Sequence, residues 1–206
     1  SIPQAETGTG VILSITPPSG EALTYTQVYE KAAPSIAALT AYSAGMVSTG
    51  TGIVLTADGY IVTNAHIIAG AEQVNVTLSD DSLWSAQLVG FEPLEDLAVL
   101  KIDASGLTPA QFGDDTLLRS GDPVSAIGNP MGYRSTITPG IVSALDQPVS
   151  VEGTTMYLLQ TSAAINYGSS GGALLNDRGQ VVGVTTIKIV ADDGSAEGLG
   201  FAIPTT

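Results

Sequence analysis

The sequence predicts an all-β chain of low helix content, two groups of strands joined by a polar segment and preceded by one short helix. Three observations predict this. Short runs of Val, Ile, Leu and Thr alternate with polar residues, the period of half-buried strands. Gly at 24 and Pro at 11 among 206 residues break those runs with turns. Charged residues are only 13% against 44% hydrophobic, so the chain can bury a real core.

Residues 1–24, rich in Thr, Gly, Ser and Pro, read as an extended arm. Thr24 and Gln27 form the pattern of a capping box, which opens a short helix through TQVYEKAA that Pro34 ends. Strands follow: SIAALTAY, STGTGIVLT, a turn at Ala57-Asp58-Gly59, then YIVTNAHI. QVNVTLSDDSLWSAQLVGF reads as a hairpin around Asp80 and Asp81, and LAVLKI as a buried strand. Residues 108–122 are polar and turn-rich and serve as the linker between a first group at about 35–107 and a second at about 123–206, within one domain at 25–206. The second group holds PVSAIGN, TITPGIVSAL, TTMYLLQTS, GALLN, QVVGVTTIKIV and GLGFAIP. About six strands on each side have the spacing of small barrels or sandwiches.

Net charge is −14, from 20 acidic and 6 basic residues. Such a chain is repelled by nucleic acid and by anionic membrane surfaces. The acids are scattered, which reads as a solvated acidic surface. With no cysteine, thiol catalysis and disulfides are excluded. One histidine and no cysteine leave only carboxylates for a metal, and DDGSAE lacks calcium-loop spacing, so neither metal nor cofactor is expected. No apolar run reaches membrane-spanning length, and SIPQAETGTG does not read as a signal peptide.

Chemistry concentrates at GSSGG, residues 168–172. It fits both G-x-S-x-G, the elbow of α/β-hydrolases, and G-x-S-G-G; both select Ser170 over Ser169. A serine hydroxyl needs a base within reach. The chain's one histidine, His66, precedes the serine, whereas an α/β-hydrolase orders Ser, acid, His, so the elbow reading fails. The order His, Asp, Ser remains. Asp96, directly before the buried strand LAVLKI, stands out as the acid. Asp80 and Asp81 read as turn, Asp114 and Asp115 as linker, and Asp103 lies at the strand's far end.

The segments TGIVLTADGYIVTNAHII, EDLAVLKI, VSAIGNPMGYRSTITPGIVSAL, LLQTSAAINYGSSGGALLNDRGQVVGV and GLGFAIP resemble the protease domain of the HtrA (Deg) family of serine proteases, from about Val28 to Pro204. The resemblance implies two six-stranded antiparallel β-barrels of chymotrypsin/trypsin type. It implies a triad of His66, Asp96 and Ser170, and an oxyanion hole at Gly168, Ser169 and Ser170. The family usually has Asn where this chain has Ser169, a position that contributes backbone. Ala164, Ile165, Asn166, Thr185, Thr186 and Ile187 would line the specificity pocket, which carries no acid and suits small aliphatic residues. Lys188 nearby reads as a solvated strand end. Segments 129–139, 163–168 and 189–198 match loops that rearrange in the family.

The activity implied is ATP-independent cleavage of misfolded or exposed polypeptides outside the cytoplasm, in the periplasm or anchored at the bacterial cell surface. The family also implies a homotrimer, with Tyr25 and Tyr29 of the arm region at its contacts, and a PDZ domain in the full-length protein. The rival readings are a catalytically silent chaperone or peptide-binding domain on the same fold, a Ser–Lys pair using Lys101 or Lys188, and a purely structural β-sandwich.

Overall fold

Thr24 starts the helix that the capping pattern predicts. The computed structural model describes residues 1–6, 11–129, 134–151, 153–186 and 200–206. The Thr24 hydroxyl accepts from the Gln27 N–H at 3.2 Å, and the Gln27 side chain accepts from the Thr24 N–H at 2.9 Å. This satisfies two backbone donors at the start of α1 (Tyr25–Ala32). Pro34 then converts the chain end into a single 3-10 turn before the first long strand. Val28 and Ala32 are the buried face of α1.

Upstream of the helix lies β1 (Ile15–Thr16). The first sheet then takes β2 (Ile36–Ser43), β3 (Met46–Val54), β4 (Tyr60–Thr63), β5 (Gln73–Thr77), β6 (Leu83–Ser85), β7 (Gln87–Glu92) and β8 (Leu97–Lys101). A four-residue helical turn, α2 (Ala65–Ile68), follows β4. The order is β6-β5-β2-β3-β4-β8-β7, all pairs antiparallel. Only Ala86 separates β6 from β7, and its N–H donates to Val74 O at 2.9 Å. Residues 83–92 therefore run as one bent strand, which closes the sheet on itself.

The second sheet uses β9 (Phe112–Gly113), β10 (Pro123–Gly128), β11 (Thr136–Val151), β12 (Thr154–Thr161), β13 (Ala173–Leu175), β14 (Val181–Thr186) and β15 (Gly200–Pro204). Its order is β1-β9-β14-β13-β10-β11-β12-β15, with a further β14–β15 pairing that closes a ring of six. The seven and eight strands counted thus reduce to two closed six-stranded arrangements, as the all-β trypsin-like class requires. The polar segment expected as linker is not featureless: β9 pairs parallel with both β1 and β14.

Three apolar clusters fill the fold. One face of the first sheet buries Leu39, Ile61, Val76 and Leu100. The second ring buries Val124, Leu159, Leu174 and Val182. The third cluster joins the two: Ile36, Ile53 and Val62 of the first sheet meet Val28 of α1 and Ile127, Leu158 and Phe201 of the second. Alternation along each strand explains the split, since neighbours such as Ile53 and Val54 point to opposite faces.

The arm holds a contact that composition does not announce. Leu88 N–H donates to Pro3 O at 2.8 Å and Ala5 N–H to Leu88 O at 2.9 Å, so residues 3–5 add to the edge of β7. This places Ile2 in the first cluster, 6% exposed, with Ile68, Ala71 and Leu88. Tyr29 of α1 donates its hydroxyl to Ser135 O at 3.1 Å. The Ile2→Ala variant should lose about 2 kcal/mol of stability, the lower end for a buried Ile truncation, because the arm can adjust. Urea unfolding checks this; a change below about 0.5 kcal/mol, the usual range for surface substitutions, would show that the arm does not dock.

Candidate active site

Asp96 reaches the end of β4 by a strained turn. It sits between β7 and β8 at φ +55, left-handed backbone that a non-glycine residue seldom adopts. Two donors hold its carbonyl there: the Ala65 N–H at 3.1 Å and the Asn64 side-chain amide at 3.2 Å. The turn of α2 starts at this anchor and presents His66. Asp96 Oδ1 accepts the His66 backbone N–H at 2.9 Å, and Oδ2 lies 2.7 Å from His66 Nδ1. An ionised carboxylate only accepts, so the proton sits on Nδ1 and the Nε2 lone pair faces outward. The Asp96 side chain is 5% exposed and that of His66 25%. The acid is thus shielded while the base stays reachable.

A third donor to the Asp96 carboxylate comes from the other sheet. Thr186, at the end of β14, donates its hydroxyl to Asp96 Oδ2 at 3.2 Å. Thr186, expected to line the pocket, uses its hydroxyl in this contact with Asp96.

Ser170 lies in the turn between β12 and β13, 3% exposed. That turn is pinned to β14: Gly171 N–H donates to Thr185 O at 2.8 Å, Thr185 N–H to Gly172 O at 2.9 Å, and the Thr185 hydroxyl to Ser169 O at 3.1 Å. It is pinned equally to the first sheet. The register of β3 with β4 covers only Ile53↔Val62 and Val54↔Ile61, so Thr51 has no β4 partner. Its N–H instead donates to Ser170 O at 2.9 Å, and its carbonyl accepts the Thr63 hydroxyl at 2.7 Å. Gly171, at φ +90, passes so close that a Cβ there would lie 2.1 Å from Thr51 O and 2.5 Å from Thr63 Oγ1. Only glycine fits.

Beside the turn, Ala164, Ile165, Asn166 and Thr185 surround a narrow cavity of ≈10 Å³, together with Gly128 and Ser169. That is on the order of one water. Among the described residues no charged side chain lines it. Ile187 and Lys188 lie outside the described residues, as do the whole segment 189–198 and part of the segment 129–139. A larger cleft of ≈730 Å³ opens beside His66 and Asp96, walled by Ile2, Gln4, Leu88 and Phe91. Among the described residues no cluster of His, Asp and Glu could hold a metal ion, and no helix is long and apolar enough to cross a membrane.

Among the described residues, His66, Asp96 and Thr186 therefore meet directly, and Thr51 and Thr185 tie the Ser170 turn to β3 and β14. Sequence reasoning missed α2, the left-handed turn at Asp96, and the anchoring part of Thr51 and Thr63. The only local signal for the last two was their placement in strands flanking the histidine.

The family described as a trypsin-like peptidase domain matches residues 50–184, a span that includes His66, Asp96 and Ser170. The chain is 46% identical over 166 residues to "Serine protease Do-like HtrA" of Lactobacillus helveticus, covering 76% of this chain and 40% of that protein. It is 46% identical over 159 residues to "Probable periplasmic serine endoprotease DegP-like" of Chlamydia trachomatis serovar D, covering 75% and 31%. Among solved structures, "HtrA-type protease AlgW with tripeptide" superposes with a TM-score of 0.81 at 42% identity, over 88% of this chain and 60% of that one. The chain spans 31–40% of the length of these curated relatives.

The tight fit of the Ser170 turn can be tested apart from catalysis. Gly171→Ala should destabilise by about 3 kcal/mol, from a left-handed backbone penalty plus overpacking against Thr51. Gly45→Ala has the same backbone sign at φ +74 but nothing within 4 Å, and should cost only about 1 kcal/mol. Thermal unfolding of the pair measures the difference; equal losses would mean that the contact with Thr51 is absent.

Proposed function

This chain belongs to the trypsin-like peptidase family, and on that premise we propose that it is a serine endopeptidase of the HtrA type acting through Ser170, His66 and Asp96. The single observation that carries the reading is the 2.7 Å contact between His66 Nδ1 and a buried Asp96, on a site whose serine turn is tied to the same sheet. Its relatives named as serine proteases support it.

In this reading His66 Nε2 takes the Ser170 proton as the hydroxyl oxygen attacks the scissile carbonyl. The same proton passes to the leaving amine, which departs as the acyl-enzyme forms. Water then enters by the reverse logic and releases the second product. Asp96 holds the imidazole tautomer and stabilises its charged form. Thr186 is a positioning residue, since its hydroxyl fixes the carboxylate from the second sheet. The N–H groups of Gly168 and Ser170, with Ser169 between them, would receive the oxyanion; removing one such donor costs about 2.7–4 kcal/mol of barrier.

Ala164, Ile165, Asn166, Thr185, Thr186 and Ile187 would form the specificity pocket. The narrow cavity beside the first four, uncharged among the described residues, supports cleavage after small aliphatic residues. The substrates are unfolded or exposed polypeptides. The name of the chlamydial relative supports a site of action outside the cytoplasm. A homotrimer and a PDZ domain in the full-length protein belong to the same reading through the family resemblance. The rival, a silent binding domain on this fold, has no chemical need for the His66–Asp96 contact.

Exposure to a fluorophosphonate followed by intact-mass analysis tests the assignment. One adduct is expected, lost in Ser170→Ala and His66→Ala but kept in Ser169→Ala. Failure of the chain to label, with and without unfolded protein present, would leave the silent binding domain. On a peptide substrate, Asp96→Asn should lower kcat by about 10⁴-fold through the wrong tautomer. Thr186→Val should lower it by about tenfold, the worth of one hydrogen bond near 1.4 kcal/mol, with KM nearly unchanged. A Thr186→Val enzyme equal to the parent in kcat would remove the positioning role.

A further inference from the structure

Thr51 does more than lend its backbone to the serine turn. Its side chain is fully buried, and its hydroxyl is engaged at both ends. It donates to Gly168 O at 2.7 Å and accepts from the Asn129 N–H at 2.9 Å. A threonine hydroxyl has one proton, so this direction is fixed: Asn129 N–H to Oγ1, then Oγ1–H to the Gly168 carbonyl.

The Gly168–Ser169 peptide is consequently held at both of its polar atoms. Thr51 takes the carbonyl, and the Ser169 N–H donates to Asn166 O at 3.0 Å. Gly168 itself sits at φ +84. Glycine turns about such a bond at little cost, so nothing intrinsic to the residue keeps its own N–H in one direction. The anchored peptide does. Asn129, at the other end of the relay, directly follows β10, and Gly128 there packs against the turn: a Cβ at 128 would lie 3.0 Å from Ser169 Cα.

We propose that Thr51 is a positioning residue for the oxyanion donors: its one hydroxyl, on the first sheet, ties the end of β10 to the Gly168 peptide and thereby aims the Gly168 N–H. The proposal rests on the serine peptidase reading above. Replacing the hydroxyl by a methyl leaves the Gly168 carbonyl and the Asn129 N–H without their partner in a dry interior. The carbonyl then regains a donor by rotating the Gly168–Ser169 plane about Gly168, and the compensating change at the Gly168 φ turns the Gly168 N–H away from the reacting oxygen. Substrate binding, which does not depend on the oxyanion, is left largely intact.

The test compares Thr51→Ser, Thr51→Ala and Thr51→Val in the 206-residue chain, each assayed at least ten degrees below its own Tm. Ser and Ala lack the same methyl and differ only in the hydroxyl, so their ratio isolates it even where Val fails to fold. Expected is a kcat for Thr51→Ala tenfold or more below that of Thr51→Ser, with KM within about twofold, as for loss of an interaction made only in the transition state. A peptide aldehyde, which forms a tetrahedral oxyanion on the serine, should lose affinity by the same factor. The matching peptide amide should bind all variants alike. Equal kcat for Ser and Ala overturns the proposal, and so does an equal loss of aldehyde and amide affinity, which marks a merely structural role. Fluorophosphonate labelling of the parent chain separates the two levels. With Ser170 labelled, a negative result falls on Thr51 alone; without it, the peptidase reading fails and this proposal with it.

Discussion

The backbone of the Ser170 turn lies in van der Waals contact with the first sheet, and the site depends on that closeness. A Cβ on Gly171 would overlap the Thr51 carbonyl, so the two chains approach as nearly as neighbouring strands do. The reason lies in strand pairing. After Val62 the strand β4 no longer follows β3, and the N–H and C=O of Thr51 are left on an unpaired edge. Buried backbone groups must find partners. The Ser170 carbonyl and the Thr63 hydroxyl supply them. What begins as a local break in a ladder thus becomes the seam that ties the Ser170 turn of one sheet to the other sheet.

Asp96 shows the same logic in reverse. Its carboxylate belongs to the first sheet and binds the His66 ring and backbone N–H there, yet it also accepts a hydroxyl from Thr186 of the second. A buried carboxylate is costly unless its lone pairs are used. Here donors from both sheets use them, so the cost of burying the acid is offset only when the sheets are docked. The strained backbone of Asp96 is held by the same arrangement, through the Asn64 and Ala65 donors.

Local chemistry was legible in the sequence and distant contacts were not. The capping box at Thr24 and Gln27 reads directly as a helix start, because both partners lie within one turn. The Asp80-Asp81 turn does too: Asp80 accepts from Ser82 and Asp81 takes the left-handed conformation. The order of His66, Asp96 and Ser170 excluded one catalytic class from the sequence alone. Other features join residues far apart in the chain. Ile2 meets Leu88, β9 meets β1, and Thr186 meets Asp96 across 90 positions. Nothing in the local period of Thr185-Thr186 tells which threonine faces the acid and which the serine turn. A one-residue change of register exchanges them, and register is set by pairing with β15 and β13.

The third apolar cluster explains why such small distances hold. The triad proposed for His66, Asp96 and Ser170 needs the sheets held in a fixed relation, and hydrogen bonds across a mobile interface would not achieve it. The cluster takes Ile36, Ile53 and Val62 from one sheet and Ile127, Leu158 and Phe201 from the other, with α1 packed alongside through Val28. Interiors of this kind are close-packed and resist sliding. The polar contacts therefore select the register of the interface, and the apolar contacts supply its stiffness. The helix α1 thus bears on the proposed chemistry through packing: Val28 and Ala32 buttress the wall against which the two sheets are aligned.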